Sequence, residues 1–325
     1  MIKLKYQEVV GGRKNMNDKL DLLINEVKKA VLGKDDVIKR TIVAILAEGH
    51  ILFEDIPGVG KTNLAVAFTK ALSLNYQRVQ LTSDILPSDL LGYSVYDFDS
   101  KKMSFKKGPV FTNIFLADEI NRTSSKTQSA LLQVMEEGII SVDGNTYPTS
   151  KPFIVIATQN PFGSAGTQML PDSQLDRFMM RLSLGYPDEV SEIEIINRKK
   201  NSNPLDNIEA VITPEELVLM QKEIKSVHID ESLVRYIVQV VQQTRKHEKI
   251  EQGASPRASI ALTKASQATA YLYGRDYVVI EDINENLYEV LNHRIFLIPS
   301  IKKNRKSFQI IMEEIMMRIT PITYK

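Results

Sequence analysis

The fold is indicated most clearly by a short apolar run that leads directly into glycines, a lysine and a threonine, Ile51-Leu52-Phe53-Glu54-Asp55-Ile56-Pro57-Gly58-Val59-Gly60-Lys61-Thr62. From Asn63 to Leu72 the apolar residues recur at helical spacing. The pattern therefore predicts a strand, a glycine loop and a helix, in that order. This order is the context that a phosphate-binding loop requires.

In such a loop, glycines let backbone N–H groups approach phosphate oxygens, and the start of the helix adds a partial positive charge. Lys61 would supply a full charge, and the Thr62 hydroxyl would bind a magnesium ion that bridges the phosphates. The usual G-x-x-x-x-G-K-[ST] pattern begins with glycine, where this chain has Asp55. That position begins the loop and need not touch phosphate. The loop residues expected to contact the nucleotide are Pro57, Gly58, Val59, Gly60, Lys61, Thr62 and Asn63.

A second apolar run, Asn113 to Ala117, ends in Asp118 and Glu119. One carboxylate could hold hydrated magnesium, and the second could polarise an attacking water molecule. Alone, this is weak evidence, since strands commonly end in charge on reaching solvent and Glu119 could simply be solvated. Paired with the glycine loop, Asp118 becomes a candidate metal ligand together with Thr62, and Glu119 a candidate catalytic base.

A third apolar run, Phe153 to Thr158, is followed by Asn160 and Pro161. An amide at the end of a neighbouring strand can orient the water or touch the terminal phosphate. Asparagine before proline is equally a good turn former. Both interpretations of Asn160 stay open at this point.

Two arginines are further candidates for phosphate contact. Arg257 lies in the first turn of a helix opened by Ser255-Pro256, where the helix macrodipole disfavours a cation, so it is either a phosphate ligand or an exposed arginine that solvent tolerates. Arg177 lies before the last predicted strand. A neighbouring subunit could present Arg177 to the terminal phosphate, or it could form a salt bridge to Asp172 or Asp176.

Strands that alternate with helices indicate a parallel α/β sheet, whose ligands lie at the carboxyl ends of the strands. Lys61, Asp118 and Asn160 fall at or just beyond such ends. The remaining predicted elements of this part are strands at Arg78–Leu81 and Met179–Leu184, a capped helix broken by Pro87 within Ser83–Gly92, a hairpin within Tyr96–Phe105, a helix with a Ser125/Gln128 capping box, and a hairpin at Ile139–Asn145.

Beyond Pro204 no further buried strand is predicted, and Thr213-Pro214-Glu215-Glu216 carries the signals of a helix start. An all-helical second domain follows. We therefore expect a flexible lead-in at 1–16, an αβα nucleotide-binding core at 17–203 and a helical lid at 204–325.

Composition limits the function classes. The 325 residues contain no cysteine and 4 dispersed histidines, which excludes disulfides and disfavours a transition-metal site. A net charge of +1 does not demand a nucleic-acid partner. No apolar run reaches the roughly 18 residues that a membrane span needs, and no signal peptide is recognisable. We expect a cytoplasmic protein without membrane insertion.

Together these residues resemble the MoxR-type AAA+ ATPases, of the helix-2-insert clade, from about Val31 to Pro321. The resemblance is carried by five ordered motifs: the glycine loop of 54–62, Leu116-Ala117-Asp118-Glu119-Ile120-Asn121-Arg122, Ala157-Thr158-Gln159-Asn160-Pro161, Leu175-Asp176-Arg177-Phe178 and Ser255-Pro256-Arg257.

The resemblance implies an ATP- and Mg²⁺-dependent ATPase in a homo-oligomeric, hexameric ring that acts as a chaperone. Residues 83–110 and 138–150 would be its pore- or partner-facing insertions, and Val31-Leu32-Gly33 would flank the adenine. The implied partner is a separate protein with a von Willebrand factor A domain. In this family Lys61 and Thr62 would form Walker A, Asp118 and Glu119 Walker B, Asn160 sensor 1, Arg257 sensor 2, and Arg177 the finger that acts in the neighbouring subunit.

Three alternatives remain open on sequence alone. One is a nucleic-acid-dependent AAA+ motor, which the balanced charge disfavours. Another is a chelatase-like motor subunit for metal insertion, and the third is a scaffold that binds nucleotide without hydrolysing it. The intact lysine and both acids disfavour the third.

Overall fold

The computed structural model describes residues 16, 18–99, 101–160, 169–201, 203–301 and 304–319. The predicted lead-in at 1–16, apart from Met16, lies outside the described residues, as does Pro161. Within them, no helix combines the length and apolarity that crossing a bilayer requires.

The first part of the chain forms a five-stranded, entirely parallel sheet in the order β2-β5-β8-β1-β9. Its strands β5 and β8 are buried almost throughout, as expected for strands with helices on both faces. The elements of this part are α1 (18–30), α2 (Asp35–Leu46), β1 (Ile51–Glu54), α3 (Lys61–Ala71), β2 (Tyr76–Gln80), α4 (Pro87–Leu91), β3 (Gly92–Asp97), β4 (Lys102–Lys107), β5 (Ile114–Asp118), α5 (Ser125–Glu137), β6 (Ile139–Val142), β7 (Asn145–Pro148), β8 (Ile154–Gln159), α6 (Asp172–Leu175), β9 (Met180–Leu182) and α7 (Glu189–Asn201).

The sheet order places the predicted site residues side by side. Strand β8 lies between β1 and β5, so the glycine loop that follows β1, the acids that end β5 and Asn160 beyond β8 meet at one edge. The predicted α/β core with its parallel sheet is therefore confirmed.

Two hairpins project from this core. Strands β3 and β4 pair antiparallel, and the β6–β7 hairpin turns through Asp143 and Gly144, both at positive φ (50° and 77°) as a tight hairpin turn requires. Pro87 was predicted to break a helix, but it begins α4, because proline fits the first helical position.

The predicted Ser125/Gln128 capping box is wrong. Ser124 caps α5 by accepting a hydrogen bond from the Thr127 N–H at 3.2 Å, and Gln128 donates instead to the Ile120 carbonyl at 2.9 Å. Gln128 is buried, so its amide satisfies the preceding loop rather than the helix terminus.

The second part of the chain is helical, as predicted, and also contains a short antiparallel pair of strands that the sequence did not reveal. The Thr213/Glu216 capping box is present. The elements are α8 (Pro214–Ile224), α9 (Glu231–Thr244), β10 (Ile250–Gln252), α10 (Pro256–Leu272), α11 (Ile280–Leu291), β11 (Phe296–Leu297) and α12 (Arg305–Met317).

The helical part packs directly against the sheet edge at β9. Arg294, which is 5% exposed, donates to Asp176 Oδ1 at 2.7 Å and to the carbonyls of Phe178 and Met179 at 2.7 and 3.0 Å. Arg181 of β9 donates in turn to Asn292 Oδ1 at 2.9 Å. Because an apolar cluster also runs continuously from α2 into α8 and α10, the two parts share one core.

Candidate nucleotide site

The glycine loop forms an open cradle at the start of α3. Gly58 and Gly60 have φ of 86° and 101°, a left-handed conformation that side chains rarely adopt. A Cβ placed at either position would meet no atom within 4 Å. The backbone here turns towards open space, as binding of an anion to a helix N-terminus requires.

Lys61 lies across this cradle. Its Nζ donates to the carbonyls of Asp55 and Ile56 at 3.0 and 2.9 Å. Burial lowers the pKa of Lys61, while the carboxylates of Asp55, Asp118 and Glu119 oppose that shift. The ammonium group thus lies close to the cavity that the glycine loop borders.

Asp55, which departs from the usual loop pattern, is buried and accepts three hydrogen bonds from the segment that follows β9. Its Oδ1 accepts from the Ser183 hydroxyl at 2.6 Å and the Gly185 N–H at 3.1 Å, and its Oδ2 accepts from the Leu184 N–H at 2.7 Å. The side chain is 6% exposed. It therefore ties the start of the glycine loop to the segment that leaves β9, a role that glycine could not fill.

The two acids at the end of β5 are held by a hydroxyl from the neighbouring strand. The Thr158 hydroxyl donates to Asp118 Oδ1 at 2.5 Å and accepts from the Glu119 N–H at 2.9 Å. Arg78 of β2 donates to the other Asp118 oxygen at 2.6 Å. Arg122 donates to Glu119 Oε2 at 2.7 Å.

A cavity of about 380 Å³ joins these groups. The cavity is lined by residues of the glycine loop, of the end of β5 and of the end of β8. The structure therefore brings together the predicted phosphate-binding loop, both acids and Asn160. Beside Asn160, Asn121 Nδ2 donates to the Asn160 carbonyl at 3.3 Å. The predicted site residues that line the cavity are Pro57, Gly58, Gly60, Lys61, Thr62, Asn63, Asp118, Glu119 and Asn160.

A second cavity of about 430 Å³ adjoins the first and shares its glycine-loop wall. Val59 lines this second cavity together with Val31, Leu32 and Tyr186. Lys199 of α7 lines both cavities. A polar cavity joined to a more apolar one has the shape that a phosphate chain with an attached base needs.

The residues present fit a nucleotide with Mg²⁺. The cradle is open, and the oxygens of Thr62 and Asp118, which are the hard ligands that magnesium prefers, line one cavity with Lys61. Lys61, Thr62 and Asp118 would hold the phosphates and the ion.

Arg177 and Arg257 do not line either cavity among the described residues. Both lie on another surface, where they face Glu136 of α5. Every described residue that lines the two cavities lies within 29–205. Arg257 thus faces Glu136 rather than either cavity, and Arg177 pairs with Glu136 rather than with Asp172 or Asp176.

The residues missed from the sequence include Arg78, Gln80, Thr158 and Lys199, which line the cavity with the two acids, and Glu136, which faces the two arginines. Only Thr158 carried a signal, as a hydroxyl next to the end of a strand otherwise apolar. The others depend on contacts between segments far apart in the chain.

Comparison with known proteins agrees with this geometry. Residues 50–180 match the model of the ATPase family associated with various cellular activities (AAA), and residues 242–315 match an AAA lid domain. The chain is 42% identical to the uncharacterized protein YeaC of Bacillus subtilis, over 96% of both chains. It is 36% identical to the chaperone MoxR1 of Mycobacterium tuberculosis, over 92% of this chain and 81% of that protein.

A solved structure extends the comparison. The crystal structure of a candidate ATPase from Cytophaga hutchinsonii superposes with a TM-score of 0.90 at 39% identity, over the full length of both chains. The likeness therefore covers the core and the helical part together.

Proposed function

Because the chain belongs to the MoxR family of AAA ATPases, we propose that it hydrolyses ATP within a homo-oligomeric ring and uses the hydrolysis to remodel partner proteins. The observation that carries the proposal is the single cavity in which Lys61, Asp118, Glu119 and Asn160 meet.

The residues of this cavity divide the work of hydrolysis. Backbone N–H groups of the glycine loop and Lys61 bind the phosphates, and Thr62 and Asp118 supply oxygen ligands. When bound, Mg²⁺ would neutralise phosphate charge. Glu119 takes the proton of the attacking water, and Asn160 orients that water. Thr158 helps to hold both residues in place, since its hydroxyl donates to the Asp118 carboxylate and accepts from the Glu119 N–H.

A second protomer completes the site. Arg177 and Arg257 lie on a surface away from their own chain's cavities, and a guanidinium near the transferred phosphoryl group can accelerate turnover by several orders of magnitude. We therefore assign both arginines to the phosphates of a neighbouring protomer in a hexameric ring.

The β3–β4 hairpin supports a partner-binding role. Its turn and strands expose Phe98 (83%), Met103 (64%) and Tyr96 (45%), an apolar surface of the kind that contacts other proteins. Lys102, Lys106 and Lys107 lie on β4, so the hairpin favours an acidic partner surface. The proposed partner is a separate protein with a von Willebrand factor A domain.

Two variants test the proposal together. Lys61→Ala should abolish ATP binding, and Glu119→Gln should bind ATP without turning it over. An ATP-loaded Glu119→Gln ring should retain a protein with a von Willebrand factor A domain that Lys61→Ala does not retain. Stimulation of the wild-type ATPase by DNA instead of by that protein would favour a nucleic-acid motor.

A further inference from the structure

Glu136 is the meeting point of the two arginines assigned to the neighbouring protomer. Its Oε2 lies 3.2 Å from Arg177 Nε, and its Oε1 accepts a hydrogen bond from Arg257 Nη2. Arg177 comes from the turn between α6 and β9, and Arg257 from the first turn of α10. Three separate elements therefore converge on a single carboxylate.

The surface around Glu136 is rich in cations. Lys264 and Arg294 line the same depression as the two arginines. Asp176, a nearby acid, is already bound by the Ser255 hydroxyl at 2.7 Å and by Arg294 at 2.7 Å. Glu48, the other acid that lines the depression, pairs with Lys225 at 2.8 Å. Glu136 is thus the acid that contacts both Arg177 and Arg257 and offsets their repulsion.

The backbone that carries Glu136 is held firmly. The carbonyl of the preceding residue, Met135, accepts a hydrogen bond from His50 Nε2 at 3.0 Å, and His50 Nδ1 accepts from the Val155 N–H at 3.0 Å. His50 therefore links the end of α5 to the central strand β8. Arginine side chains have many rotamers, so a fixed carboxylate reduces the freedom that they must lose on binding phosphate.

The pair keeps donors for an incoming anion. A guanidinium has five N–H groups, and Glu136 contacts one nitrogen of each arginine. The N–H of Arg177 Nε is buried and has no hydrogen-bond acceptor among the described residues, so its contact with Glu136 is an ion pair without an aligned hydrogen bond. The guanidiniums can therefore bind phosphate oxygens while Glu136 holds them together.

We propose that Glu136 is a positioning residue that holds Arg177 and Arg257 as one preassembled pair for the triphosphate of the neighbouring protomer. The inference rests on the proposed function, because it requires both arginines to act in trans. It assigns Glu136 no contact with substrate, since each of its two carboxylate oxygens faces one of the arginines.

The test compares Glu136→Gln with Glu137→Gln. Glu137 is the next residue of the same helix, and its carboxylate contacts the Gln133 amide at 3.2 Å rather than the arginines. At saturating ATP and saturating protein concentration, Glu136→Gln should lower kcat about tenfold, a change of about 1.4 kcal/mol in activation free energy, and leave the Kd for ATP unchanged. Glu137→Gln should match the wild type.

A merely structural role is separated from positioning by combining variants. In an Arg177→Ala, Arg257→Ala background, Glu136→Gln should cause no further loss of the residual hydrolysis rate, measured in single turnover at high protein concentration, because the groups it positions are absent. Wild-type or raised kcat in Glu136→Gln, or an equal additional loss in the double-alanine background, would overturn the inference. If instead both single arginine variants keep full turnover, the trans assignment itself fails.

Discussion

Thr158 and Glu119 are joined by a hydrogen bond from the Glu119 N–H to the Thr158 hydroxyl, 2.9 Å long. Glu119 has φ 57° and ψ 49°, a left-handed conformation that costs a residue with a side chain roughly 1 to 2 kcal/mol. The same hydroxyl donates to Asp118 at 2.5 Å. One buried threonine therefore fixes the Asp118 carboxylate and the backbone of Glu119 in the proposed hydrolytic site.

Replacing that hydroxyl should impair hydrolysis more than nucleotide binding. We expect Thr158→Val to lower kcat about tenfold, or roughly 1.4 kcal/mol, because Asp118 and Glu119 lose their common partner. Thr158→Ser keeps the hydroxyl and should stay within about twofold of the wild type. Steady-state ATPase rates and ATP affinity measure the two effects, and equal rates in Val and Ser variants would remove the positioning role.

Asp55 should stabilise the fold more than the glycine of the usual loop pattern would at this position. Asp55→Ala leaves the buried N–H of Leu184 and the half-buried N–H of Gly185 without their acceptor, so we expect a loss of about 2 to 4 kcal/mol in the free energy of unfolding. Asp206→Ala is the matched control, because that side chain is 67% exposed and its ion pair with Lys70 is 3.6 Å long. Chemical denaturation should show a change in the free energy of unfolding below about 0.5 kcal/mol for the control. A similarly small change for Asp55→Ala would contradict a stabilising role for the Asp55 hydrogen bonds.

His50 should make the fold sensitive to mild acid. Burial lowers the pKa of His50 from 6.5 to about 4, against the opposing effect of the Met135 carbonyl. The unfolded chain then binds a proton that the folded chain does not, so this stability is complete above pH 6.5 and is lost as the pH falls towards 4. Between pH 7 and pH 5 the loss is about 2 kcal/mol.

The contribution of His50 can be isolated by denaturation at both pH values. His50→Gln should be less stable than the wild type at pH 7, because it disturbs the contacts to Met135 and Val155. Its further loss between pH 7 and pH 5 should be smaller by about 2 kcal/mol. An unchanged pH dependence would assign the acid sensitivity to other groups.

The sequence predicted the features that are local in the chain. A glycine loop between an apolar run and a helical pattern, and acids directly after a buried strand, are read from neighbouring residues, and parallel strand order then brings them together. The Thr213 cap and the Asp143-Gly144 turn succeeded for the same reason. The prediction of Ser125 as the cap was wrong because two adjacent serines are candidates for one N-cap position, and Ser124 occupies it.

Contacts between distant segments could not be predicted in this way. Arg78 reaches Asp118 across two paired strands, and Asp55 meets Leu184 beyond β9. Nothing near Glu136 in the chain indicates Arg177 or Arg257. The position of Arg257 depends on how α10 packs against the sheet edge, which is a property of the tertiary fold.

The most direct test of a site shared between protomers is a mixed ring. Glu119→Gln and Arg177→Ala chains, each with its own affinity tag, are co-expressed and purified through both tags. Each variant alone should be nearly inactive. In mixed rings, an Arg177→Ala protomer with intact Glu119 receives Arg177 from a Glu119→Gln neighbour, so random assembly should restore about a quarter of the wild-type sites. ATPase activity well above that of either variant alone is predicted; activity no higher than theirs would contradict an arginine supplied in trans.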